Sequence, residues 1–432
     1  MRSRKISDDS GSLLIEALVA LAIFTIVFTA FISLSMARAA NSQDLERRRE
    51  AMFSALREIY DSTSTIKYIS PCIMNLTASS SWNSFGINKN VSFSATSTDL
   101  DYAKKISGDC GGTNFPSSFP QNPPTNFYVT SGQISSIDTL GTNIYLSDNE
   151  SSSSSVLAYD TSRNQSEVKI DSQINAIDAI HGKIFLAVNG TSRQFRVIDS
   201  SDLNKMFESA SSSLPGVSGS YPGATCIAYF NSKVYVGTHR TAGNELHIFD
   251  VSSNSPVWLG SIELNHNINA IAIKEPYAFL ATSGNTDNLI IVDISRPNTI
   301  KKISSLAFTG TEDSLSIFLS GNKLYLGRKK GTSASHPDIL IIDISDPTKP
   351  LVAGTFYLHK DVIGIKVFND IIYAATNDPQ SALTILNGND PLKIAPIMTI
   401  TSIHSGHAMD TKDNEILVGT DNGLAELIFP IK

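Results

Sequence analysis

The chain of 432 residues is short of charge, of cysteine and of long apolar runs. Charged residues make up 17% of it, against roughly 25% in ordinary soluble domains, which excludes a coiled coil and a highly charged disordered chain. Three cysteines are too few for a disulfide framework. Only Leu13 to Leu34 is long enough to cross a bilayer, so a multi-span membrane protein is excluded. The formal net charge of -7 argues against a nucleic-acid partner, which would meet a basic face. Catalytic signatures are missing as well: His-Glu-x-x-His, a Gly-Lys-Ser/Thr phosphate loop, Gly-x-Ser-x-Gly and Cys-x-x-Cys are all absent. No enzyme activity and no cofactor are therefore expected.

What is present begins with an asymmetry. Residues 1–11 are polar, with Arg2, Arg4 and Lys5. Leu13 to Leu34 follows, apolar except for Glu16. As a helix it would span about 33 Å, close to the hydrocarbon thickness of a membrane. A carboxylate in such a helix costs on the order of 3 kcal/mol to insert and needs a partner. Three readings fit. A secretory signal peptide would be cut after Ala39, behind the small-x-small pattern Ala37-Arg38-Ala39, but the apolar run is long for one and holds an acid. A plain membrane anchor leaves Glu16 unexplained. Basic residues flank the run on both sides, so charge bias alone does not orient it.

The third reading is a resemblance. Gly11-Ser12-Leu13-Leu14-Ile15-Glu16 resembles the processing site of type IV pilins and pseudopilins, with Glu16 fifth from Ser12. The resemblance implies cleavage after Gly11 by a prepilin peptidase and methylation of the new amino terminus at Ser12. It also implies a retained helix packed among other pilin-like subunits, with Glu16 paired to a neighbour's amino group. Ser12 stands where that family usually has Phe. The amino terminus would then be cytoplasmic and the body external, at the cell surface or on a pilus. Leu45, Met52, Phe53, Leu56, Ile59 and Tyr60 continue an apolar stripe at helical spacing to residue 60.

Residues 61–126 are rich in Ser, Thr and Asn, with two expected strands, Thr65–Ser70 and Asn90–Ser97. Cys72 and Cys110 could pair in an exported protein, a loop closure worth roughly 3–4 kcal/mol, or remain free thiols. The Pro-rich stretch from Phe115 to Pro124 reads as a linker.

From about residue 127 the chain repeats. Each copy has an apolar strand, a polar turn, a second strand such as Val234-Tyr235-Val236 or Leu324-Tyr325-Leu326, and a third strand ending in I-x-D. The third strands end at Asp160, Asp199, Asp250, Asp293 and Asp343, then at Asn387 and near Ile428. Spacings of about 40–50 residues with short β-branched and aromatic strands point to propeller blades. Seven copies are counted, with six or eight left open. Leu289-Ile290-Ile291-Val292-Asp293-Ile294-Ser295 and Ile339-Leu340-Ile341-Ile342-Asp343-Ile344-Ser345 resemble the LVIVD-repeat family of β-propellers. The strand-end aspartates read as structural, accepting bonds from the turn backbone. The last copy lacks a fourth strand, and Phe127-Tyr128-Val129-Thr130 is expected to supply it, closing the ring. Cys226, in an apolar first strand, reads as a buried core thiol.

The expected fold class is mainly β: a seven-bladed propeller over 127–432, after a leader (1–11), a pilin-type helix (12–60) and a small α+β or irregular segment (61–126). The loops leading into the innermost strands hold His266, Glu312, Asp313, His359, Lys360, Asp361, His404, His407 and Asp410. Gathered on one face, these could hold a polar ligand or a metal ion, or be solvated loop residues. The expected function is a minor pilin-like surface protein displaying the propeller for adhesion or for binding an extracellular ligand or protein. A type II secretion pseudopilin contacting cargo and an anchored propeller hydrolase or lactonase are the alternatives.

Overall fold

The computed structural model describes residues 67–70, 73–84, 87–96 and 125–428, apart from short internal interruptions at 152, 161, 218–222, 285, 334, 369, 402, 404 and 413–414. Leader, processing site, Glu16, the helix to residue 60, Cys72, Cys110, the Pro-rich stretch and His404 all lie outside the described residues. Among the described residues no helix is long and apolar enough to cross a membrane.

The first region holds three strands: β1 (Lys67–Ser70), β2 (Ile73–Ser84) and β3 (Ile87–Thr96). They form an antiparallel meander, with β2 in the centre and paired to β3 from Asn75↔Thr96 to Ser84↔Ile87. The expected strands Thr65–Ser70 and Asn90–Ser97 correspond to β1 and β3, whereas β2 carries no strand signal in its composition. Its run of Ser and Asn residues offers little β propensity of its own, and pairing on both edges is what makes it a strand.

The second region is a ring of seven four-stranded antiparallel sheets. It begins with β4 (Thr125–Val129). Blade 1 is β5 (Ile137–Leu140), β6 (Asn143–Asn149), β7 (Ser154–Tyr159) and β8 (Gln165–Ile170). Blade 2 is β9 (Ile174–Ile180), β10 (Lys183–Val188), β11 (Phe195–Asp199) and β12 (Phe207–Ser212). Blade 3 is β13 (Ala224–Phe230), β14 (Lys233–Thr238), β15 (Leu246–Asp250) and β16 (Val257–Ile262). Blade 4 is β17 (Asn267–Lys274), β18 (Tyr277–Ser283), β19 (Leu289–Asp293) and β20 (Lys301–Leu306). Blade 5 is β21 (Ser314–Ser320), β22 (Lys323–Arg328), β23 (Ile339–Asp343) and β24 (Leu351–Phe356). Blade 6 is β25 (Val362–Phe368), β26 (Ile371–Thr376), β27 (Leu383–Asn387) and β28 (Ala395–Ile400). Blade 7 is β29 (Gly406–Lys412), β30 (Glu415–Thr420) and β31 (Gly423–Ile428), completed on its outer edge by β4.

The residue patterns explain these places. Second and third strands sit mid-sheet with a neighbouring blade against each face, so they are apolar on both sides: Leu289 to Val292 and Ile339 to Ile342 are fully buried. Outer strands have one face in water, and β12 alternates exposed and part-buried residues. Among the described residues the buried apolar side chains form seven clusters, one at each junction between blades. Burying each Ile, Leu, Val or Phe contributes about 1.5–3 kcal/mol.

The strand-end aspartates are turn formers. Asp250, Asp293 and Asp343 each accept from the backbone N–H two residues on, at 2.8 Å. Bonds from the Ser345 hydroxyl and backbone N–H hold the Asp343 carboxyl below the usual range. Outer strands fit against the following turn of the next blade. A Cβ on Gly260 of β16 would lie 1.9 Å from the Pro297 carbonyl oxygen, and one on Gly354 of β24 would lie 2.1 Å from that of Pro391.

Closure occurs where the sequence places it. β4 pairs with β31 from Gly423↔Val129 to Leu427↔Thr125. Glu426, 1% exposed, accepts from Asn126 Nδ2 and Tyr128 OH at 3.0 Å each. It also pairs with Arg163, which reaches over from the β7–β8 turn of blade 1. Arg163 meets Glu415 at 3.3 Å as well. The last strand of the ring, the strand that precedes the first blade, and blade 1 are thus joined through one buried carboxylate.

Candidate functional site

The loops that precede the inner strands and those that join second to third strands lie at one end of the ring. His266, Asp313, His359 and Asp361 precede β17, β21 and β25 on that face, and His407 is the second residue of β29. The structure does not gather them into one cluster. Each is held in a clamp within its own blade or to the next one.

His266 meets Asp287 at 3.3 Å through Nε2 and the Ser283 carbonyl at 3.2 Å through Nδ1. Lys302 reaches the same Asp287 at 2.7 Å. Burial alone would raise the Asp287 carboxyl, but the bonds from Lys302, Ser305 and His266 prevail and lower it. Asp313 pairs with Lys329 at 2.8 Å. The His359 backbone N–H donates to Asp338. Asp361 accepts from the Lys330 N–H and from Asn377 Nδ2, both at 2.8 Å, which ties blade 6 to blade 5. Lys360 pairs with Asp378 at 3.2 Å. His407 Nε2 lies 2.5 Å from Asp421, which also accepts from Ser405 at 3.1 Å and from Gln133 of blade 1 at 3.3 Å. In that last group the carboxylate stands between hydroxyl and imidazole. A nucleophile–base pair needs the hydroxyl bonded to the imidazole, so this is not the hydrolytic arrangement.

Glu312 forms the most enclosed of these groups. It accepts from Thr332 N–H at 2.9 Å, Thr332 Oγ1 at 3.0 Å and His336 Nδ1 at 2.9 Å. Arg328, fully buried at the end of β22, reaches it at 3.4 Å and donates to the Thr309, Glu312 and Pro337 carbonyls. Burial opposes ionisation of Glu312, but the Thr332 and His336 bonds outweigh it and bring its pKa to about 2. Blades 3, 4, 6 and 7 have Thr238, Thr282, Thr376 and Thr420 where blade 5 has Arg328, so this clamp is peculiar to blade 5.

Asp410 departs from the expectation of a loop residue. It lies inside β29, opposite Leu417, at the level of the channel and away from the loop face. Its polar run, His407 to Lys412, resembles a loop by composition. An inner strand facing a central channel need not be apolar, and pairing with β30 settles the matter. Asp410 pairs with Lys366 of β25 at 2.7 Å and accepts from Thr139 of β5 at 2.8 Å.

Asp410 belongs to a ring that the sequence reading missed. Asp138, Asp178, Ala228, Ala272, Phe318, Lys366 and Asp410 all stand opposite the middle of the second strand of their blades. They line a channel cavity of about 220 Å³. Blades 7, 1 and 2 present carboxylates, blades 3 to 5 present apolar groups, and Lys366 lies at the boundary, 5.7 Å from the centre of the Phe318 ring. Asp138 accepts from Ala179 N–H and Asp178 from Tyr229 N–H, so each carboxylate also stitches its inner strand to the next blade. Aligning the copies on Tyr145, Phe185, Tyr235, Phe279, Tyr325 and Tyr373 would have revealed this ring.

A second missed set caps the loop face. Gln194, Glu245, Asn288 and Asp338, each just before a third strand, accept from N–H groups of the loop after the fourth strand. Among the described residues no group of three or more His, Cys, Asp and Glu side chains could hold a metal ion. The arrangement offers hydrogen-bonding loops on a rigid ring, and a channel that is acidic on one side and apolar on the other.

A family model described as the LVIVD repeat matches residues 267–306 and 313–357, which are blades 4 and 5. No curated protein matches the chain. A solved structure of a protein from Lactobacillus plantarum is similar, with a TM-score of 0.51 and 11% identity over 65% of this chain and 89% of that one. A computationally designed protein, Ika8, aligns with a TM-score of 0.49 and 12% identity over 72% of this chain and 100% of its own. At these identities the Lactobacillus likeness bears on the fold alone. The chain holds LVIVD repeats in a seven-bladed β-propeller.

Proposed function

We propose that this chain is a minor pilin-like surface subunit that displays its propeller as a binding module. Cleavage by a prepilin peptidase after Gly11 would leave Ser12 as the mature amino terminus. The apolar helix would stay in the membrane beside other pilin-like subunits, with Glu16 pairing to a neighbour's amino group. The propeller would lie outside the cytoplasm and engage an extracellular ligand or protein without chemistry. The observation that carries this reading is the sequence Gly11-Ser12-Leu13-Leu14-Ile15-Glu16 in one chain with a closed propeller. A body of roughly 300 residues is bulky for a packed major subunit, which favours a low-copy or tip position.

Mass spectrometry of the mature amino terminus is the test. A start at Ser12 is expected. A start at Ala40 would replace this reading with a secreted propeller, and an intact leader with a plain anchor. Glu16→Ala should impair assembly while leaving membrane insertion intact.

A further inference from the structure

We infer that the rim at which the chain enters the propeller rests on a lipid surface. This inference rests on the anchoring proposed above. Each outer strand begins, and each third strand ends, at the same end of the ring. Register places Phe207, Val257, Lys301 and Leu351 at one level, each opposite a strand-end aspartate. β4 begins at that level too, because Thr125 pairs with Leu427 near the end of β31. The 124 residues preceding β4, with their 22-residue apolar run, therefore join the propeller at this rim.

Among the described residues, six of the ten large apolar side chains that face water lie at this rim: Phe207, Val257, Trp258, Leu351, Val352 and Leu392, with Leu351 at 67% and Leu392 at 83% exposed; Val129 and Tyr357 lie at the loop end. The six come from blades 2, 3, 5 and 6, and blade 4 between them supplies the exposed Lys301. Single exposed apolar residues need no explanation, but their concentration at one level on four of the five blades from 2 to 6 does. Trp and aliphatic tips interleaved with Lys suit the headgroup layer of a bilayer, where the ring or alkyl group enters the acyl boundary and the ammonium stays in water. The turn aspartates Asp199, Asp250, Asp293 and Asp343 lie on the same rim, each opposite the first residue of an outer strand, so anionic lipid would not be drawn to it by charge. Attachment would be apolar, and zwitterionic lipid would suffice. The loop face at the other end of the ring would then point away from the membrane.

The test uses the full chain in phosphatidylcholine vesicles, with Trp82→Phe making Trp258 the sole tryptophan. Vesicles should shift the Trp258 emission to the blue relative to lipid-free protein, and acyl chains brominated near the headgroup should quench it relative to unbrominated vesicles. Leu351→Ser combined with Leu392→Ser, both at exposed positions, should reduce the quenching without moving the thermal midpoint. Unquenched Trp258 overturns the inference, as does quenching that the double variant leaves unchanged. Protection of Trp258 that rises with protein concentration in the absence of lipid would assign the rim to a second copy and also overturn it. Resistance to alkaline carbonate extraction reads the anchor separately: an extractable chain whose Trp258 is still quenched keeps the rim contact and defeats the anchor.

Discussion

Blades 4 and 5 and the seam between blades 7 and 1 solve the same packing problem with opposite chemistry. In blades 4 and 5 the third-strand residues Ile290 and Leu340 face the preceding blade and are fully buried among apolar groups. These are the two blades matched by the repeat family. At the seam the outer strand is β4, which precedes the first blade in sequence, and the contact is made by Glu426 with Asn126, Tyr128 and Arg163. Blades 2 and 3 lie between these extremes. At the position of Ile290 they have Arg196 and His247, both buried. Arg196 pairs with Glu208 at 3.2 Å and bonds Ser172 at 3.0 Å. An apolar junction tolerates sliding of one blade on the next, whereas a buried ion pair accepts one partner geometry. Directional bonds also occur within blades, as at Arg328–Glu312 in blade 5 and Arg196–Glu208 in blade 2, but at the seam they join segments that are distant in sequence.

The comparison can be broken most directly at the seam. Glu426→Ala leaves Arg163 without its buried partner and should cost about 3 kcal/mol or more in urea unfolding. Leu340→Ala in blade 5, an apolar truncation, should cost about 2–5 kcal/mol. The two should differ in kind: the seam variant should also lose protection from hydrogen exchange selectively in β4 and β31. Equal loss of protection in all blades would mean that the seam is no special fastening.

His247 gives the next effect. Burial lowers its pKa from 6.5 to about 4, against a weaker opposing bond to the Asn244 carbonyl. The folded chain keeps this imidazole neutral while the unfolded chain protonates it near 6.5. Its contribution is therefore whole above pH 6.5 and falls away as the pH drops toward 4, by about 3 kcal/mol in total. His247→Leu, which makes blade 3 resemble blade 5, should flatten that part of the pH–stability curve. An unchanged slope between pH 6.5 and 4 would contradict the assignment.

Asp343→Ala should have the smallest effect, about 1 kcal/mol, because it removes an exposed turn bond in a blade that is otherwise held by its apolar strands. A thermal scan checks it, and a loss as large as that of Glu426→Ala would mean that the turns rather than the seam control the ring.

Much of this was legible in the sequence because it is local. Apolar third strands, aspartates that close their own turns and the second-strand aromatics recur at a fixed period, and a period survives without coordinates. β4 could be assigned because the last copy lacked a strand. Cys226 was legible from its apolar surroundings, and burial pushes its thiol up to about 12. The channel ring is less apparent, because its members are single residues in strands of mixed composition, and Asp138, Asp178, Lys366 and Asp410 stand out only when the copies are aligned on their second-strand aromatics. Of the candidate residues on the loop face, His404 lies outside the described residues and Asp410 lies inside β29; the others precede inner strands or, as His407, open one. Their partners, such as Asp287 for His266 and Asp421 for His407, were not foreseen.

By itself the sequence determined the repeat, the order of strands in a blade, the need for ring closure and the positions of the turns, since each follows from side-chain periodicity and backbone preference over a few residues. Tertiary structure decided which charges meet. Arg163 and Glu426 are separated by 263 positions, and no local preference selects one from among the other arginines and glutamates. Only when the last blade closes on the first does burial remove water from that carboxylate, and then one guanidinium, one phenol and one amide remain to satisfy it.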